Sequence, residues 1–186
     1  RLYYGNWEYD DDPSALIDFD SITDYFNPIH LDRKGTNYIT VDVARKGRDK
    51  SIIRVWNNWV CVERIAIAKN IITELRDVVV RKQKEYKVSR TNVIADEDGV
   101  GGGLVDLLRC KGFVNNSKPL NGENYDNLKN QCSHKMARKI VLKEVGEVCP
   151  EKSIIDVISE EMEAVKLTDI DKDGKIKLLP KDKVKE

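Results

Sequence analysis

Two aspartates stand where an apolar pattern has no need of them. Asp42 falls inside "NYITVDVA", residues 37–44, and Asp96 closes the apolar part of "TNVIADED", residues 91–98. Each is read as a carboxylate at a strand terminus in an apolar surround, where an unpaired charge is expensive and calls for a partner. If the two strands lie side by side, their ends bring Asp42 and Asp96 together. Adjacent carboxylates repel, and a divalent cation between them removes the repulsion. Ligands that are all oxygen point to Mg²⁺ or Mn²⁺ rather than zinc. The chemistry that such a site supports is phosphodiester hydrolysis, in which bound metal activates the attacking water and stabilises the leaving oxygen.

Other candidate chemistry is weaker. The loop "DEDGVGGGLVDLL" follows a strand and opens a helix, the right context for phosphate binding. Leu104 stands where a dinucleotide fingerprint needs glycine, and no Gly-Lys-Ser/Thr follows, so it is neither a Rossmann loop nor a P-loop. Its glycines are expected to let the chain turn tightly beside Asp96. "DIDKDGKIKLLP" begins like a calcium loop with Asp169, Asp171, Asp173 and Gly174, but its twelfth position is Pro180, not Glu, so a hairpin turn is expected. His30 and His134 are far apart, and a Ser–His–Asp site is poorly supported. Cys61, Cys110, Cys132 and Cys149 form no C-x-x-C pair; zinc is not expected, and scattered thiols suit a reducing compartment.

The elements that must hold the two acids follow from periodicity. "NYITVDVA", "SIIRVWN" and "WVCVERIAIA" are short β-rich runs joined by the turns "RKGRDK" and "NN", which predicts an antiparallel meander. "NIITELRDVVVRKQKEY" sets Ile71, Ile72, Leu75, Val78 and Val79 on one helical face. "TNVIADED" reads as a central strand covered on both faces. The glycine turn runs into a helix expected to end at Gly112. A long helix follows with Leu128, Cys132, Met136 and Ile140 at i+4 steps, then another over "SIIDVISEEMEAVKL" with Ser153 as N-cap. The tail is a hairpin turning at Asp173-Gly174. This order predicts a mixed α/β layered domain in which a crossover helix returns the chain to a parallel strand.

The chain of 186 residues is 40% hydrophobic and 34% charged, as expected of one globular domain with a real core and a charged surface. No apolar run approaches the ~20 residues of a membrane helix, so no membrane partner is expected. The formal net charge of zero hides an asymmetry: residues 1–32 carry one basic and eight acidic residues, residues 33–90 fifteen basic and six acidic. A basic middle suits a polyanionic partner. Residues 1–32 show little regular apolar spacing and read as an irregular arm. The opening on Arg1 rather than methionine makes a piece of a longer protein the expectation.

"YITVDVARKGRDKSIIRVWN" followed by "VIADEDGVGGGLVDLL" resembles the nuclease domain of the large terminase subunit of tailed bacteriophages. "RLYYGNWEYDDD" is similar to the segment that joins that family's packaging ATPase domain to its nuclease domain, and "KIKLLPKDKVKE" to its late hairpin and Lys-Asp-x-x-Lys stretch. The resemblance implies a ribonuclease H-like fold: a mixed sheet, with an antiparallel three-stranded meander plus parallel strands, flanked by helices. It divides the chain into an arm at 1–34, reaching from an absent ATPase domain, and a nuclease domain at 35–186, truncated at its C-terminal end. It implies a metal-dependent endonuclease, a hydrolase cutting concatemeric double-stranded DNA during genome packaging in the host cytoplasm, with Mg²⁺ or Mn²⁺ on Asp42 and Asp96. Its partners would be the ATPase domain, the terminase small subunit and the portal. Lys46, Arg48 and Lys50 are the candidate contacts to DNA phosphates. The family's third acid lies in a Ser-Pro-Asp stretch that this chain does not contain, and Asp182, Asp98 and Asp49 are extra carboxylates that do not match it. A junction resolvase or transposase-like nuclease, or a non-catalytic module that docks DNA or a partner protein, are the rival readings.

Overall fold

A computed structural model describes residues 14–44, 49–68, 71–149, 151–168 and 174–179. Its centre is a six-stranded mixed sheet. The strands are β1 (Asn37–Asp42), β2 (Lys50–Asn57), β3 (Val60–Ala68), β4 (Val93–Asp96), β5 (Lys111–Phe113) and β6 (Gly146–Glu147), in the spatial order β5-β4-β1-β2-β3-β6. β1, β2 and β3 form the expected antiparallel meander. β4 and β5 add in parallel beyond β1, and β6 adds in parallel beyond β3.

Alternation along the strands decides the two faces. Ile39 and Val41 of β1, Ile53 and Val55 of β2, and Val93 and Ala95 of β4 all point into one core. Over them lie α2 (Ile72–Glu85), which buries Leu75 and Val79, and α3 (Gly101–Leu108), which buries Leu104 and Leu108. β-branched residues supply most of this face, as a pleated, half-buried surface favours. The opposite face carries Thr40, Asp42, Ile52, Arg54, Ile94 and Asp96, none of them fully buried. β4 is therefore not covered on both faces as its apolar run implies; Ile94 faces an open cleft.

A second core covers the β3–β6 end of that opposite face. It is built from α1 (Phe19–Tyr25), α4 (Leu128–Val141) and α5 (Lys152–Glu163), with Ile17, Ile22, Tyr25, Ala137, Ile140 and Val145 buried and Trp56 packed beside them. The irregular reading of residues 1–32 thus fails over Phe19–Tyr25. Asp18 caps that helix through Ser21, and Ile22 is 1% exposed.

Three further boundaries differ from expectation. α3 ends at Leu108 because Arg109 takes the left-handed conformation (φ 49°), and Gly112 belongs to β5 instead. The cap of α5 is Glu151, and Ser153 lies inside the helix. Ile71, placed on the inner face of α2, is half exposed at its N-cap. The tail does pair: β7 (Leu167–Thr168) runs antiparallel to β8 (Lys177–Leu178), while Asp169, Asp171 and Asp173 lie outside the described residues. No helix among the described residues is long and apolar enough to cross a membrane.

Candidate functional site

The register of β1 and β4 brings the two aspartates together. Thr40 pairs with Ile94 and Val41 with Ala95, in parallel; one residue further along both strands stand Asp42 and Asp96. Strands so paired lie about 4.8 Å apart, and partners in register share a face. Asp42 also faces Ile52 across β2, and Asp96 faces Phe113 across β5. The row Phe113–Asp96–Asp42–Ile52 therefore crosses four strands on the face away from α2 and α3.

Both acids line a cleft of about 570 Å³, floored by β1, β2, β4 and β5 and walled by Asn115 and Lys129. Asp42 is exposed and Asp96 partly so. The expectation of charges sunk in an apolar surround is corrected accordingly. The carboxylates meet water at the mouth of the cleft, and what brings them together is strand pairing, not rescue of a buried charge.

Local chemistry fixes each acid. Ala44 donates its backbone N–H to Ser51 Oγ at 3.0 Å, stapling the chain that leaves Asp42 to the start of β2. Asp96 Oδ1 accepts the backbone N–H of Asp98 at 3.0 Å, so the turn after β4 orients the carboxylate. That turn depends on glycine in two places. Gly99 has φ +66°, and a Cβ on Gly101 would land on the Asp96 carbonyl oxygen, since α3 starts directly against the end of β4. The glycines serve the turn, as read from the sequence.

Asp98 itself is occupied elsewhere. Its Oδ2 accepts from the backbone N–H of Asn115 at 3.0 Å and from the Asn115 side-chain amide at 2.6 Å. Asn115 in turn accepts the backbone N–H of Lys129 at 3.1 Å, tying the first turn of α4 to the cleft wall. Among the described residues, no group of three His, Cys, Asp or Glu side chains stands where it could share a metal ion. Asp49 is exposed just before β2, and Asp182 lies outside the described residues. Lys46 and Arg48 also lie outside them; Lys50 opens β2, exposed, and is not part of the cleft lining.

The fold has counterparts among known proteins. No protein-family model matches the chain, and no curated protein matches it in sequence. Solved structures do match. The nuclease domain of the large terminase subunit gp2 of bacterial virus Sf6 superposes with a TM-score of 0.76 at 15% identity, over 92% of this chain and 90% of that one. The fold is that of a large-terminase nuclease domain. A variant of the Sf6 domain with manganese and β-thujaplicinol gives a TM-score of 0.74 at 15% identity, over 89% of this chain and 87% of that one. The large terminase nuclease from thermophilic phage G20c with bound magnesium gives 0.55 at 14% identity, over 89% and 87%. The mixed sheet flanked by helices is thus the ribonuclease H-like arrangement of the terminase nucleases, as the sequence resemblance implied.

Three linked residues in the terminase-like fold escaped the sequence reading. Arg54 lines the cleft, across from Thr40 on β1. Its Nε donates to Glu147 Oε2 at 3.2 Å, and the Tyr25 hydroxyl donates to the same oxygen at 3.1 Å. Burial is the largest influence on Arg54 and works against its charge, but the Glu147 carboxylate, together with Tyr25 and Cys61, raises the guanidinium's pKa on balance. Tyr25 is pushed well above the ordinary phenol value, by burial first and the Glu147 charge second.

Proposed function

We propose that this chain is a divalent-metal-dependent DNA endonuclease, the cutting domain of a viral genome-packaging terminase. The observation that carries the reading is the parallel register of β1 and β4, which sets Asp42 and Asp96 side by side at the mouth of a cleft. The terminase nuclease fold and the neighbours with manganese or magnesium support it.

The donor set fits Mg²⁺ or Mn²⁺: two carboxylates, solvent-accessible, with no thiol or imidazole in the cleft lining. Asp42 and Asp96 would hold the ion. When bound, such an ion polarises a phosphoryl oxygen and lowers the pKa of a water. The chain's own residues do the rest. The Asp98 N–H aims Asp96, and Asn115 and Lys129 form a polar wall against which a phosphodiester would rest. Lys50, exposed at the start of β2, extends positive charge from the same end of the sheet; Lys46 and Arg48 belong to the same proposal.

The substrate in this reading is double-stranded, concatemeric viral DNA. The domain would work beside a packaging ATPase domain reached through residues 1–34, with the terminase small subunit and the portal, in the host cytoplasm.

Supercoiled plasmid incubated with the chain and Mn²⁺ tests the proposal. Relaxed and linear products are expected, falling to background in Asp42→Asn and in Asp96→Asn. Cutting at the wild-type rate by either variant would overturn it.

A further inference from the structure

Glu147 is the only buried carboxylate among the described residues, with no exposure to solvent. Taking a carboxylate out of water is costly unless a cation and further donors meet it. Here Arg54 Nε at 3.2 Å and the Tyr25 hydroxyl at 3.1 Å both meet Oε2, while Oε1 has no hydrogen-bond partner among the described residues. The partners come from three separate places: α1, β2 and β6. A tie between strands alone needs no charge, since well-packed apolar side chains do it as well or better. What the arrangement does that apolar packing cannot is hold a guanidinium at a fixed place on the floor of the cleft.

Arg54 is suited to such a role. Its side chain is 26% exposed, so it is neither sealed in nor free in water. The bond to Glu147 runs through Nε, which engages one edge of the fork and leaves terminal N–H groups for a second acceptor. It shares its sheet face with Asp42, two residues along the register row, because Thr40 pairs with Arg54 and Asp42 with Ile52. A planar, permanently charged fork is the better match to a phosphate than the flexible, exposed Lys129 or Lys50.

We propose that Arg54 contacts a phosphate of the bound DNA in the cleft, and that Glu147, steadied by Tyr25, is the residue that positions it. This deepens the nuclease reading and rests on it for the identity of the substrate.

Removing Arg54 alone would strand the Glu147 charge in the interior and could unfold the chain. The decisive variant is therefore the pair Arg54→Gln with Glu147→Gln, which deletes both charges and leaves the net charge unchanged. Binding of a short blunt DNA duplex is measured with Ca²⁺ in place of Mn²⁺ across a range of KCl. One lost phosphate contact lowers the slope of log K against log salt by about one. Glu147→Gln alone keeps the guanidinium but frees it: the salt slope should hold, while cleavage at saturating DNA in Mn²⁺ falls by up to about 100-fold.

An unchanged slope in the double variant overturns the contact. Wild-type kcat in Glu147→Gln overturns the positioning role. If the wild-type chain binds duplex and the double variant loses that unit of slope, yet neither cuts plasmid in Mn²⁺, the nuclease reading fails and the Arg54 contact stands.

Discussion

The Asp98 carboxylate grips Asn115 twice, through its backbone N–H at 3.0 Å and its side-chain amide at 2.6 Å, while the Asp98 N–H donates to Asp96. One residue therefore joins the turn after β4 to the wall of the cleft. Its carboxylate serves as a clamp, whereas the acid beside it faces the cleft.

A clamp and a metal ligand respond differently to removal. Asp98→Ala should lower stability by about 1–2 kcal/mol, the worth of two hydrogen bonds to a charged group in a partly wet setting. Urea denaturation measures that loss. The same variant should keep whatever stabilisation Mn²⁺ confers. Loss of the Mn²⁺ effect in Asp98→Ala, with the urea midpoint little changed, would make Asp98 a ligand instead.

Stabilisation by Mn²⁺ is itself a prediction. A cation that binds the folded chain and not the unfolded one adds about 2.7 kcal/mol when present at 100 times its Kd. For a chain of this size that amounts to roughly 5–10 °C in Tm. Thermal melts in rising Mn²⁺ should show the shift in the wild-type chain. Asp42→Asn and Asp96→Asn should each abolish it, because either one leaves a single carboxylate. A full shift in both variants would place the ion elsewhere.

The Tyr25–Glu147–Arg54 group and the acid pair differ in how far sequence reveals them. Asp42 and Asp96 are visible because a carboxylate at the end of an apolar strand breaks its pattern. Arg54 breaks nothing: in "SIIRVWN" it fills the outward place of a period-2 strand. Glu147 lies 93 residues further on in a two-residue strand too short to announce itself, and only the tertiary fold joins the two. The same holds for α1, whose seven residues form a helix because Ile22 and Tyr25 pack against α4 and α5, not through length or propensity. Where glycine preference was the guide, it located the turn beside Asp96 correctly. It misplaced the end of α3, because Arg109 accepts the left-handed conformation and Gly112 continues into β5. The exposure of Asp42 was not legible either, since an apolar run does not say which face of its strand is left open.

Acid should weaken the fold through His134. Its Nδ1 lies 3.1 Å from the hydroxyl of Tyr125, from which it can accept a hydrogen bond only while neutral. Burial first, and the nearby Arg138 charge second, hold its pKa below the ordinary 6.5. The fold therefore prefers the neutral ring. Above about pH 6.5 both folded and unfolded chains carry it neutral, and its contribution is complete. As pH falls below that value the unfolded chain takes up the proton first, and stability drops until the folded ring also titrates. Urea midpoints at pH 7.0 and 5.5 should differ less in His134→Gln than in the wild-type chain; an equal difference would remove His134 as a cause.

The glycines that open α3 make opposite predictions one residue apart. A methyl group on Gly101 would collide with the Asp96 carbonyl oxygen, a backbone atom held by the β4 strand, so the contact cannot be relieved by a rotamer change. Gly101→Ala should cost about 3 kcal/mol, the upper end for overpacking, and roughly 6–12 °C in Tm. It should also lower plasmid cleavage, because the backbone that must yield is that of Asp96 itself. Gly102 is different: a Cβ there meets the Glu97 carbonyl oxygen at 3.5 Å, an ordinary contact, within helical backbone. Replacing that glycine by alanine removes freedom from the unfolded chain, and Gly102→Ala should gain about 0.5–1 kcal/mol. Thermal melts of the two variants side by side check both signs at once. Equal effects would mean that α3 does not abut the end of β4 as closely as the Gly101 contact requires, and with that the rigid placement of Asp96 would fail.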